Sequence, residues 1–196
     1  MIRLGLTGSI ASGKSTVLEA FLSHGVPVFS SDATVHALYE GEAVPVVEML
    51  FPGVTTSGKV DRTELSHRLV AAPDKLKVLE AAVHPLVRAR LATFFKTAEQ
   101  KGAPLAVADV PLLFETGFDY GLDAVAVTSA PDDVIRARAL ARPGMSVEKL
   151  DAILARQLPQ AEKRKRADIV IDTSGSLEDT RAEVARLVAE LSTKAS

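Results

Sequence analysis

Eight consecutive residues, Gly8-Ser9-Ile10-Ala11-Ser12-Gly13-Lys14-Ser15, read G-x-x-x-x-G-K-[ST] in full. The chemistry that this spacing serves is the capture of a polyphosphate. Glycines let the backbone curl so that successive N–H groups point inward at phosphate oxygens, and a helix starting directly afterwards adds a favourable dipole. Lys14 then reaches the β- and γ-phosphates, the Ser15 hydroxyl is placed to ligate Mg2+, and Thr16 closes the binding set. The surroundings agree. Apolar residues 2–6 read as a strand ahead of the loop, residues 16–22 carry helical periodicity behind it, and Gly25 reads as the helix stop.

Such a loop needs a carboxylate near the metal, and the apolar run 105–108 ends in Asp109. Asp109 is the expected partner of Mg2+, directly or through water, with a strand-end turn as the competing role. Asp32 follows the second apolar run, where the carboxyl ends of strands converge, and is the candidate general base for an attacking hydroxyl. Its competing role is an N-cap for a helix over residues 33–39. Arg138 and Arg142, four apart, are expected on one helical face as a lid that brings guanidiniums onto a transferring phosphate, or else as a solvated face.

These side chains have to be held by elements. Apolar runs at residues 2–6, 26–29, 105–110, 124–127 and 169–171 are too short for helices and do not alternate with polar residues. They predict an α/β fold with a five-stranded parallel sheet flanked by helices. Residues 33–102 exceed one crossover and predict a helical insert suited to holding an acceptor. Within it, a capped helix begins at Asp61 with Leu65, Leu69 and Val70 on one face; a second begins at Pro73 and Asp74; a third opens at Pro85. Residues 131–166 form the expected lid region, with a turn at Pro143-Gly144. The reading is a single domain over residues 1–196, with a core of roughly 1–32, 103–130 and 167–196.

The 196 residues carry 23 Lys and Arg against 25 Asp and Glu, a net charge of −2, which excludes a global basic field for nucleic acid. The mean is uneven, however: nine basic residues face three acidic ones between Arg136 and Arg166. Lys163-Arg164-Lys165-Arg166 has no interleaved aromatics, so a small polyanion suits this segment better than nucleic acid. The absence of cysteine removes disulfides and thiolate metal sites. With no signal-peptide pattern and no membrane-length apolar run, a cytoplasmic protein is expected, as a monomer or weak homo-oligomer.

The N-K-x-D pattern that specifies guanine is absent, and the short chain favours a small-molecule kinase over a nucleotide switch. The sequence resembles the dephospho-coenzyme A kinase family over essentially its whole length. The match is carried by residues 5–16, Asp32-Ala33 with His36 and Leu38, residues 58–62 with Leu65, Val83-His84-Pro85, and Asp109-Val110-Pro111-Leu112-Leu113-Phe114-Glu115. It continues through Arg138, Arg142, Gln157, Lys163, Ala167-Asp168 and Ile171. The resemblance implies a P-loop NTPase fold and ATP- and Mg2+-dependent phosphorylation of the ribose 3′-hydroxyl of dephospho-CoA. It implies Asp32 as base, Lys14 and Arg142 on the transferring phosphoryl group, and His84, Pro85, Leu112, Leu113, Phe114, Glu115 and Arg62 on the acceptor side. The alternatives are another small-molecule or nucleotide kinase, or a P-loop switch protein. Where the family carries Asp-Ala-Asp, this chain has Ser30, Ser31 and Asp32, and Thr173 stands for a frequent Asn.

Overall fold

The structure is a computed structural model and describes residues 1–194. In chain order its elements are β1 (Ile2–Gly8), α1 (Lys14–Ser23), β2 (Val28–Ser30), α2 (Ser31–Leu38), α3 (Val44–Leu50), β3 (Thr55–Thr56), β4 (Lys59–Val60), α4 (Arg62–Ala71) and α5 (Asp74–Gln100). There follow β5 (Leu105–Asp109), α6 (Leu113–Thr116), β6 (Ala124–Ser129), α7 (Asp132–Leu140), α8 (Val147–Leu154), α9 (Gln160–Arg166), β7 (Ile169–Asp172) and α10 (Leu177–Lys194). The chain groups into two compact units, Met1–Phe29 with everything from Phe95 onward, and Ser30–Phe94.

The first unit holds the parallel five-stranded sheet in the order β2-β5-β1-β6-β7. All five residues of β5 are buried, as are the last five of β1, which is why these strands read as unbroken apolar runs. Leu4, Leu6, Leu105, Val107, Ala126 and Ile171 from the strands pack with Val17 and Phe21 of α1 and Val184, Leu187 and Leu191 of α10. β1 lies between β5 and β6, so the loop that leaves its carboxyl end has a strand end on either side.

The second unit contains more than helices. β3 and β4 pair antiparallel as a two-residue hairpin, Thr55 opposite Val60 and Thr56 opposite Lys59. Strands this short carry no periodicity to read. Asp61 caps α4 as expected, accepting the N–H of Thr63 and Glu64, each at 3.0 Å. Leu65 is buried, but Val70 is 79% exposed, so the apolar face of α4 is narrower than expected.

The two helices expected on either side of Pro85 are one continuous helix, α5. Proline costs a helix interior about 3 kcal/mol through its missing N–H and its clash with the preceding turn. Leu79, Val83, Val87 and Leu91 are buried at a spacing of four that runs straight through the proline, and each contributes about 1.5–3 kcal/mol on burial. The buried stripe therefore wins, with Pro85 on the exposed side. Among the described residues no helix is long and apolar enough to cross a membrane.

Candidate functional site

The phosphate loop leaves β1 at Gly8, which stands in parallel register with Thr128 of β6. A Cβ on Gly8 would collide with the hydroxyls of Thr128 and Ser12, which lie 2.6 Å apart in a buried hydrogen bond. Ala11 and Gly13 both take left-handed backbone, φ 59° and 84°, and these two reversals curl the loop. The Ser12 N–H closes the curl on the Ser9 carbonyl at 3.1 Å. Thr173 fastens the loop from the other side: its Oγ1 donates toward the carbonyls of Ser12 and Ser129 at 2.8 and 3.0 Å. The residue that departs from the family's usual Asn is thus a hydrogen-bonding part of the loop's frame.

Helix α1 starts at Lys14 with no side-chain cap, and the N–H groups of a first turn have no partner within their own helix. Free N–H groups of this kind can take an anion, and Lys14, Ser15 and Thr16 are the residues that carry them here. Gly13→Ala would strain the left-handed backbone by about 1–2 kcal/mol, and the new Cβ would sit 2.9 Å from Thr173 Cβ. ATP binding by this variant is expected to weaken at least about tenfold in calorimetry. Affinity equal to that of the unaltered chain would deny the loop its role.

Lys14 and Asp109, read separately from sequence, meet: the ammonium is ion-paired to the Asp109 Oδ1. The Asp109 side chain is only 6% exposed, so this charge pair sits largely out of water at the end of β5, beside the loop. Arg138 reaches the residue that fastens the loop, its Nη2 donating to the Thr173 carbonyl at 2.9 Å. Arg142 does not share a helical face with it. α7 ends at Leu140, because Pro143 disfavours helical backbone at residue 142 and Gly144 turns left-handed at φ 73°. Arg142 lies exposed in that turn, its side chain in no hydrogen bond or ion pair among the described residues. Near these elements a cleft of about 650 Å³ opens at the ends of β6 and β7, lined by Ser129, Asp132, Gln160, Arg164, Asp172 and Ser174 among others.

In the second unit Asp32 is exposed in the first turn of α2, and the cap of that helix is Ser30, whose Oγ accepts the Ala33 N–H at 3.2 Å. The capping role that competes for Asp32 is therefore filled by the residue standing where the family carries an acid. His36, four residues on, shares the Asp32 face, and its Nδ1 lies 3.1 Å from Nη1 of Arg62. Tyr39 sits beside them; burial pushes its hydroxyl above the usual range, with the Arg62 charge pulling the other way. His84 and Pro85 lie exposed in mid-α5.

The remaining acceptor-side candidates are in the first unit. Leu112 is 40% exposed and Leu113 is buried. Glu115 turns inward. Its Oε1 accepts the Leu158 N–H at 2.8 Å and lies 2.8 Å from Nζ of Lys163, a lysine with no exposed surface. The contact is an ion pair rather than an aligned hydrogen bond, since Nζ and Glu115 Oε2 are buried without hydrogen-bond partners among the described residues. Burial pushes the Glu115 carboxyl up, but the Lys163 ammonium and the Leu158 N–H outweigh it and hold it below the usual carboxylate range.

Two glutamines complete the loop's surroundings. Gln157 Oε1 accepts the Ile10 N–H at 3.1 Å, and Gln160 Oε1 accepts the Ser9 hydroxyl at 2.8 Å. Gln160, Thr128 and Thr173 had no assigned role from sequence. The register of β1 on β6 is the one signal that places Thr128 beside Gly8.

A parallel sheet of this order, with the phosphate loop on its central strand and a lysine–carboxylate pair beside it, defines the class of P-loop kinases. The dephospho-CoA kinase family pattern matches residues 2–179. The dephospho-CoA kinase of Rhodopseudomonas palustris strain BisB18 is 57% identical over 186 residues, 95% of this chain and 94% of that one. Among solved structures, the dephospho-CoA kinase from Campylobacter jejuni is 27% identical with a TM-score of 0.77, over 98% of both chains. The crystal structure of TT1252 from Thermus thermophilus is 39% identical with a TM-score of 0.81, over 96% of this chain and 97% of that one. The chain belongs to the dephospho-CoA kinase family.

Proposed function

We propose that this protein transfers the γ-phosphoryl group of ATP to the ribose 3′-hydroxyl of dephospho-CoA, in the cytoplasm, giving coenzyme A and ADP. The observation that carries this reading is an intact phosphate loop, with Lys14 beside Asp109, in a chain that matches the family over residues 2–179. Transfer of this kind asks little covalent chemistry of a protein and much positioning and charge stabilisation. The loop amides and the first turn of α1 hold the polyphosphate. Lys14 offers its ammonium to β- and γ-phosphate oxygens as the bond from the γ-phosphorus to the bridging oxygen breaks. Arg142, exposed in the turn after α7, and Arg138, at the edge of the loop's frame, supply guanidinium charge as the phosphoryl group moves. Asp32 orients the acceptor hydroxyl and takes its proton as the new O–P bond forms, and Arg62, His84, Pro85, Leu112 and Phe114 serve the acceptor side, with Leu113 buried and Glu115 turned inward behind them in sequence.

Mg2+ fits the donors present. Ser15 and Asp109 offer hard oxygens, and no cluster of three or more acidic or histidine ligands exists among the described residues. That is the donor set of an ion that takes one or two protein oxygens and fills its shell from phosphates and water. When bound, Mg2+ neutralises charge on the β- and γ-phosphate oxygens.

The deciding experiment incubates the protein with dephospho-CoA, ATP and Mg2+ and reads the 3′-phosphorylated product with ADP in equal amount. No product from folded protein would reject the reading. Asp32→Asn is expected to fold and bind ATP while turnover falls about 10²–10⁴-fold. Turnover within about threefold of the unaltered chain would remove Asp32 from the base role.

A further inference from the structure

The outer rim of the phosphate loop is not held by its own strand or helix. Ser9 and Ile10 are held from some 150 residues away in sequence, by the turn that follows α8 and by the first residue of α9: Gln157 accepts the Ile10 N–H and Gln160 the Ser9 hydroxyl. Gln160 is fixed in turn, its Nε2 lying 3.4 Å from the Thr128 carbonyl on the strand beside the loop. The N–H of Leu158, the residue after Gln157, ends on Glu115, and Glu115 is paired with the fully buried Lys163 one turn into α9. Glu115 belongs to α6, which follows directly from the strand that ends in Asp109. A buried charge pair thus joins the segment bearing both glutamines to the strand bearing the carboxylate that faces Lys14.

We propose that Gln157 and Gln160 are positioning residues for phosphoryl transfer, clamping the phosphate loop at Ile10 and Ser9, and that the buried Lys163–Glu115 pair anchors this clamp through the Leu158 N–H. In its catalytic part the inference rests on the function proposed above. Neither glutamine needs to touch a substrate. By occupying the Ile10 amide and the Ser9 hydroxyl, they fix the path by which the backbone enters the Ala11 and Gly13 reversals, and that path sets where the following amides point. A cradle fixed before the nucleotide arrives loses less conformational freedom on binding it. The pair suits the anchoring role because a buried carboxylate that loses its buried ammonium is left uncompensated, which holds α6 and α9 together.

The test reads nucleotide binding apart from turnover. ATP dissociation is measured by calorimetry on the whole chain without acceptor, and KM for each substrate in the coupled assay. Gln160→Leu removes the acceptor of the Ser9 hydroxyl, and Ser9→Ala removes the donor from the other end. Each is expected to weaken ATP binding about fivefold to tenfold, with acceptor KM within about twofold. The double variant is expected to bind no more weakly than the weaker single, because both remove one bond. Replacing the pair with apolar groups of similar size, Glu115→Leu with Lys163→Met, is expected to leave a folded chain whose ATP affinity falls as far as in Gln157→Leu. Adding Gln157→Leu to it is expected to cost nothing further. Single-variant affinities within twofold of the unaltered chain, losses that multiply in the Ser9–Gln160 pair, or full ATP affinity in the pair-replaced chain would each overturn the proposal. Because ATP is read alone, an unaltered chain that fails to phosphorylate dephospho-CoA sinks the proposed activity and leaves the clamp standing, while unchanged ATP affinity in the variants does the reverse.

Discussion

Lys14→Ala is expected to lower kcat about 10³-fold or more, by analogy with the loss of one positioned charge or donor aimed at a transferring group. The geometry argues for an effect of this size rather than the few-fold loss of a surface lysine. The Lys14 side chain is 19% exposed, and its ammonium is already turned inward on Asp109. Its charge therefore sits in a site where water screens little. The substitution also strips Asp109, 6% exposed, of its ion-pair partner, so stability falls too. Two measurements separate the effects. Single-turnover rates at saturating ATP read the chemical step, and a thermal melt reads the fold. Lys14→Ala with Asp109→Asn neutralises the orphaned carboxylate and is expected to regain stability without regaining turnover. A loss of kcat below about tenfold in a folded variant would take Lys14 out of the reaction.

The parts of the site that sequence showed are those whose signal is local. The phosphate loop is eight adjacent residues between a strand and a helix, and Asp109 closes an apolar run that is buried throughout. Hydrogen bonds between residues 147 and 151 positions apart leave no such trace, so Gln157 entered only as part of a resemblance and Gln160 not at all. Lys163 shows the same limit. In a run of four basic residues suited to a small polyanion it reads as one more such charge, yet it alone of the four is buried, because α9 turns that position toward Glu115. The errors in local structure have a common origin as well. By sequence pattern Pro85 marks a helix start, and Arg142 continues the helix that carries Arg138. In the first case tertiary burial at Leu79, Val83, Val87 and Leu91 overrides a breaker; in the second a breaker one residue further on overrides periodicity. Which of the two prevails depends on how much apolar surface lies beyond the proline, and that is a property of the fold.

Lys163→Met carries the largest expected effect on stability, a loss of about 3–5 kcal/mol, or roughly 10 °C in Tm for a chain of this size. The pair need not stabilise the fold much in itself. Desolvating an ammonium and a carboxylate costs several kcal/mol each, and their attraction repays that only with good geometry and further hydrogen bonds. Here Nζ and Glu115 Oε2 lack such bonds among the described residues, so the net contribution is small. Removing one partner is another matter, since Lys163→Met leaves a Glu115 carboxylate that is only 13% exposed in the unaltered chain with backbone N–H groups, that of Leu158 foremost, and no counter-charge. The asymmetry gives the prediction its second arm: Glu115→Leu added to Lys163→Met is expected to recover most of the lost Tm. The pH dependence has a definite sign. The Glu115 carboxyl is held below its ordinary value of 4.5 in the folded chain, so its contribution is complete above that pH and is lost as the pH falls through the folded value. Denaturant melts at pH 7 and at about pH 3 are therefore expected to show the unaltered chain losing more stability than the doubly apolar chain. Equal losses in the two chains, or a single Lys163→Met variant as stable as the unaltered protein, would mean that the buried pair is not ionised in the folded state.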